Sequence, residues 1–239
     1  MRFSETRAAA PLPPRLVIPE APDLRFAGFS NRAFDVLSRL RAKPTAENYH
    51  VLKSQLREFV HEPFREFRDD LVVAYVLPNR LPMETERNVF SRFLKNDFGA
   101  GASHSHLWLS FYRIGRTRLK DVQLASSISP DGFAVGLHVA PRMGAVQRSF
   151  YERNRATPDH FADMVAGLQS RHFSISLSGV VLPEGETRAA LRSMRVSDRV
   201  SVRAMLPAGE VVQVRGRLIM WALAQTQLLW PLYRYVAGS

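Results

Sequence analysis

The sequence predicts an α+β protein: a mainly antiparallel sheet built as a meander and flanked by helices, in one compact unit with an irregular N-terminal arm. Three observations predict it. Between Leu107 and Val139 three runs alternate apolar with polar residues, and the last two are joined by the turn Ser129-Pro130-Asp131-Gly132. Stretches of helical period lie on both sides of those runs. The order of elements mixes helices and strands without the strict alternation of a doubly wound sheet.

Residues 1–23 are rich in Pro and Ala, have no period, and read as the arm. They lack the apolar h-region of a secretory signal. Residues 24–239 read as the single domain, with a sub-boundary at the polar stretch 154–157. Phe29 to Leu40 is the first predicted helix, with Ser30 as cap and Ala33, Val36, Leu37 and Leu40 on one face. Pro44 ends it. Thr45 caps a second helix over Tyr49, Leu52, Leu56 and Phe59, which His61-Glu62-Pro63 interrupts before Phe64, Phe67 and Leu71 resume the spacing. The run Leu71–Leu77 reads as a short buried strand closed by Pro78 and Pro82.

In the central strands Leu107, Leu109 and Phe111 share a face, opposite Trp108, Ser110 and Tyr112. Val122 to Ile128 alternate next. Beyond the turn, Phe133, Val135, Leu137 and Val139 face one way and Ala134, Gly136 and His138 the other. Helices are expected from Pro141 to Asn154, after the cap Thr157-Pro158, and over Glu186–Met194; strands over Phe173–Leu177, Val200–Ala204 and Val211–Val214. Arg217 to Val236 reads as a long, nearly all-apolar helix. It is too short and too often interrupted, by Gln225, Thr226, Gln227 and Pro231, to span a bilayer.

At 239 residues with 46% apolar content the chain is large enough for a sizeable core. It has no Cys, which excludes disulfides and thiolate-ligated metals and favours a cytoplasmic setting. The net charge of +11 suggests an anionic partner, nucleic acid or another polyanion. Only Lys43, Lys53, Lys95 and Lys120 are lysines, an Arg skew that a GC-rich genome also produces.

No Walker loop, GxGxxG, GxSxG or HExxH is present, and no cofactor is implied. His104-Ser105-His106 has the form of a metal pair, but no further ligands stand at recognisable spacing, so no metal is assigned. His138 has small neighbours and could face a hollow; with Asp97 it is the candidate acid or base. Arg87, Arg92 and Lys95 precede the first central strand, and Arg113, Arg116, Arg118 and Lys120 follow it, interleaved with Phe93, Phe98 and Trp108. Arginines with aromatics hold phosphates and stack bases. A strand of about nine residues would part the two groups by about 30 Å, which suits an extended polyanion such as RNA or DNA. The leading expectation is a basic binding module for nucleic acid or phosphorylated ligands. A hydrolase-like enzyme with an Arg-lined pocket and a protein-interaction or membrane-peripheral factor are the other two.

Phe26, Gly28, Phe29 and Ser30, then Tyr49, Pro63, Arg92, Phe93 and Lys95, then Ser129 to Gly132, Gly136, Pro231 and Leu232 form an ordered series of motifs. In this the chain resembles a diverged member of the bacterial family catalogued as domain of unknown function 2461, over most of residues 24–236. The family's basic segment has a leading Asp and a Pro-Tyr-Lys end that are absent here. The resemblance implies the α+β fold and brings no activity with it.

Overall fold

The computed structural model describes residues 11–20, 24–94 and 101–238. Helix α1 (Asn31–Ala42) follows Ser30, whose carbonyl accepts from the Ala33 N–H at 3.0 Å. Helix α2 (Ala46–Leu56) starts at Thr45, whose hydroxyl accepts from the Asn48 N–H at 3.2 Å. It runs through a π turn at Arg57–His61 into α3 (Glu62–Leu71), and through a second π turn at Val72–Val76.

The expected strand at Leu71–Leu77 is therefore helical. Leu71, Ala74, Tyr75 and Val76 are buried while Val73 and Leu77 are exposed, which is helical sidedness. A short apolar run rich in Val carries no decisive period, and packing of an already running helix overrides its strand propensity.

Short strand β1 (Met83–Glu84) pairs with β3 (Tyr112–Arg113) in a two-stranded ribbon. The main sheet has six strands: β2 (Leu107–Ser110), β4 (Gln123–Ser129), β5 (Gly132–Val139), β6 (Ser174–Leu177), β7 (Val180–Val181) and β8 (Val200–Pro207). Their order is β2-β4-β5-β8-β6-β7, every pair antiparallel. The meander β2-β4-β5 is as the alternation predicts. The run through Arg113, however, divides at Phe111, so that Tyr112 and Arg113 leave the main sheet for the ribbon. Gly132 adopts φ +148°, and a Cβ there would run into the Leu206 carbonyl of β8. Gly132→Ala should destabilise the protein by about 3 kcal/mol, measurable by chemical denaturation.

Helices α4 (Ala145–Ala156), α5 (Pro158–Gln169), α6 (Thr187–Arg192), α7 (Ala208–Val214) and α8 (Leu218–Ala237) complete the fold. Helix α7 occupies the stretch where a strand over Val211–Val214 was expected. Three valines and a glutamine are too few to show a period; Pro207 ends β8, and one Val side chain, Val211, is buried. Across the polar break near Thr157 the core continues, with Phe150 and Phe161 ring centroids 4.9 Å apart.

Helix α8 lies against β4 and β5, with α3, α4 and α5 packed on it. Phe133, Val135, Leu137 and Val139 of β5 meet this layer at 0–2% exposure. Phe133 joins Phe26, Phe29, Phe64 and Phe67 in a cluster of mostly edge-to-face rings. The buried Asp70 carboxylate accepts from the backbone N–H groups of Arg25 and Phe26 at 2.9–3.1 Å, which fixes the entry to α1. Residues 11–20 have no regular structure, yet Leu12 and Leu16 are buried and the Trp230 indole donates to the Pro13 carbonyl at 2.9 Å.

Candidate functional site

The helices pack on one face of the sheet. Cross-strand register places the residues of the other face in rows. One row is Gln123, His138, Ser201 and Ser176; the next is Ala125, Gly136, Arg203 and Ser174; the third is Trp108, Ser127, Ala134 and Met205. Ala125, Ser127, Ala134 and Gly136 are small and stand between Trp108 on one side and Arg203 and Met205 on the other, so this part of the face is concave. A hollow of about 490 Å³ results, lined among others by Trp108, Gln123, Ser127, Ala134, His138 and Arg203, with Arg41 and Asp131 at one end. The hollow that could lie beside His138 is present, and no helix among the described residues fills it, against the alternative of a helix packed there with His138 as an ordinary buried histidine.

Each part of the wall has a local cause. Alternation along β5 sends Ala134 and His138 outward because Phe133, Val135 and Leu137 are drawn into the core. The turn Ser129–Gly132 holds Asp131, whose carboxylate takes Arg41 Nη1 at 2.7 Å, an exposed pair. His138 makes no hydrogen bond among the described residues. Burial, and then the charge of Arg203, lower its pKa to about 4, so it is neutral at physiological pH. Arg203 is exposed and has no ion-pair partner among the described residues.

Of the seven basic residues singled out from the sequence, the six that are described stand in different settings. Arg113 is the clear departure: it is buried, and its guanidinium and backbone N–H hold the fully buried Asp121 carboxylate, with backbone N to Oδ2 at 2.8 Å. A buried carboxylate needs such a partner, which withdraws Arg113 from any ligand. Arg116 Nε stands 4.0 Å from the same carboxylate. Arg87 is in the turn after β1, its backbone N–H bonded to Glu84 at 3.0 Å. Lys120 is exposed at the end of a 3₁₀ turn, Arg118–Lys120. Lys95 and Asp97 lie outside the described residues.

Arg118 and Arg92 are brought together. The Arg118 guanidinium lies over the Trp108 ring, Cζ 4.4 Å from its centroid, in cation–π contact. Its Nε and Nη1 are buried yet bond to nothing among the described residues. Burial holds its pKa below the ordinary arginine value; Tyr112 opposes this and the neighbouring Arg92 adds to it. His104 and His106 have ring centroids 5.0 Å apart, and no group able to hold a metal ion occurs among the described residues.

Arg41, Gln123, Ser127, Arg203 and Met205 were not singled out from the sequence. Alternation does put Arg203 and Met205 on one face of their strand, but the insertion of β8 beside β5 had no local signal.

The arrangement defines a two-layer α+β protein whose sheet has one concave, partly aromatic face that no helix among the described residues covers. Compared with the models of known protein families the chain matches none, and it matches no curated protein. No helix among the described residues is long and apolar enough to cross a membrane.

Proposed function

We propose that the protein is a binding module for a phosphorylated ligand of nucleotide size, held on the open face of the sheet. The observation that carries this is the hollow of about 490 Å³ between Trp108, with Arg118 stacked on it, and Arg203. A hollow of this size lies within the range of small-molecule sites, about 300–1,000 Å³. Trp108 offers a face to a flat ring, and the exposed Arg203 guanidinium, which has no ion-pair partner among the described residues, suits phosphate oxygens. With Arg113 tied to Asp121, the far anchor that would favour an extended strand is lost, which supports a single nucleotide over a polymer. His138 supports binding over hydrolysis. A base with a pKa of about 4 is a feeble proton acceptor at neutral pH, whereas a neutral imidazole is a ready hydrogen-bonding group.

Titration with adenosine monophosphate at low salt, followed by tryptophan fluorescence, tests the proposal. The expected result is a saturable change that disappears in Trp108→Phe and weakens about tenfold or more in Arg118→Gln or Arg203→Gln. His138 should add no pH dependence between pH 8 and about 5, since it titrates below that window. Tight binding of an oligonucleotide, with log affinity falling by about 0.7 per phosphate against log salt, would favour the polymer instead. No saturable change with either ligand overturns the proposal.

A further inference from the structure

The helical rod from Ala46 to Val76 carries basic side chains at a four-residue step: Lys53, Arg57, His61 and Arg65. Residues four apart share a helix face, where like charges repel. The π turn at Arg57–His61 gathers the four around one hollow of about 320 Å³, whose wall also includes Tyr49, Phe93 and Glu62. The turn closes with the Glu62 N–H bonded to the Arg57 carbonyl, and Pro63 then has no N–H for the Phe59 carbonyl. Such turns are frequent at functional sites.

The charges in this hollow do not balance. Glu62 is the acid in its wall, accepting Arg57 Nε at 3.2 Å and Arg65 Nη1 at 3.5 Å. Lys53 makes no ion pair among the described residues. Burial lowers the His61 pKa; Glu62 opposes this, and Arg65, Arg57 and Arg68 reinforce it. The Tyr49 and Phe93 rings, 6.2 Å between centroids, add an apolar side.

We infer that this hollow is a second binding site, distinct from the open sheet face, for a ligand bearing a dianionic phosphate group. The two guanidinium forks and the lysine point charge are the donors that phosphate takes. A dianion there offsets the repulsion along the rod and favours the charged form of His61.

The test uses the full chain and inorganic pyrophosphate at low salt, with the His61 ring protons followed by NMR and assigned by their loss in His61→Asn. Pyrophosphate should raise the His61 pKa in a saturable manner. Arg57→Gln with Arg65→Gln should weaken that response at least about tenfold. The Arg57 and Arg65 side chains are 77% and 49% exposed, so the double variant should keep the parent melting temperature. Trp108→Phe should leave the response intact, which separates this site from the sheet face. Cosedimentation with phosphatidic acid vesicles that depends on Arg57 and Arg65 would assign the phosphate to a lipid headgroup; a response to pyrophosphate without it assigns a soluble ligand. Either result supports the site. If the His61 signals do not move, or move equally in the double variant, the inference is overturned.

Discussion

Arg113→Ala should lower the melting temperature by about 10 °C. Asp121 is fully buried, and Arg113 neutralises it through Nε at 3.0 Å, a second guanidinium nitrogen and its own backbone N–H. Removing one partner of a buried pair leaves an uncompensated charge and costs about 3–5 kcal/mol. For a domain of this size each kcal/mol shifts the midpoint by about 2–4 °C. Arg113 Nη1 also donates to the Ala237 carbonyl at 3.2 Å, and Arg153 Nη2 donates to the carbonyls of Tyr235 and Val236 at 2.9 and 3.0 Å. The two arginines thus satisfy the last carbonyls of α8 and complement its dipole. Arg113→Met combined with Asp121→Leu should recover most of the loss, because no buried charge remains. Scanning calorimetry decides it. An unchanged midpoint in Arg113→Ala would mean that Arg116 has taken over the carboxylate.

Ending the chain after Gly216 should give insoluble or unfolded protein. Helix α8 buries Leu218, Ile219, Leu223, Leu229, Trp230, Leu232, Tyr233 and Val236 at 0–1% exposure. At about 1.5–3 kcal/mol for each large apolar side chain, the loss is on the order of 15 kcal/mol. That reaches the upper end of ordinary domain stability, about 5–15 kcal/mol. The helix is apolar on nearly all sides because the sheet meets one side of it and α3, α4 and α5 meet others. A soluble truncation with a cooperative melt would show α8 to be peripheral.

Where a segment was long enough to show its period, the sequence was a sound guide. The inward row of Phe133, Val135, Leu137 and Val139, the Thr45 cap and the extent of α8 were all legible, because each depends on neighbours only a few residues away. Leu71–Leu77 and Val211–Val214 were misread because short apolar runs fit helix and strand equally, and packing makes the choice. The site was legible in part. His138 and Trp108 could be placed on outward faces by alternation, and the basic character of the segment around them was plain. The fate of each arginine was not, since Arg113 and Arg118 are five residues apart and differ only in what tertiary contact sets beside them.

By itself the sequence determined an antiparallel α+β fold, the meander β2-β4-β5, the outward face of β5 and a final helix packed into the core. All of these follow from local periodicity and turn chemistry. Tertiary structure alone decided that β8 enters between β5 and β6, so that Arg203 and Met205 complete a hollow begun by Trp108 and His138. It alone paired Arg113 with Asp121 and laid Arg118 over Trp108. The physical reason is that strand order and charge pairing are settled by burial and contact between distant segments, whose free energies leave no period in the chain.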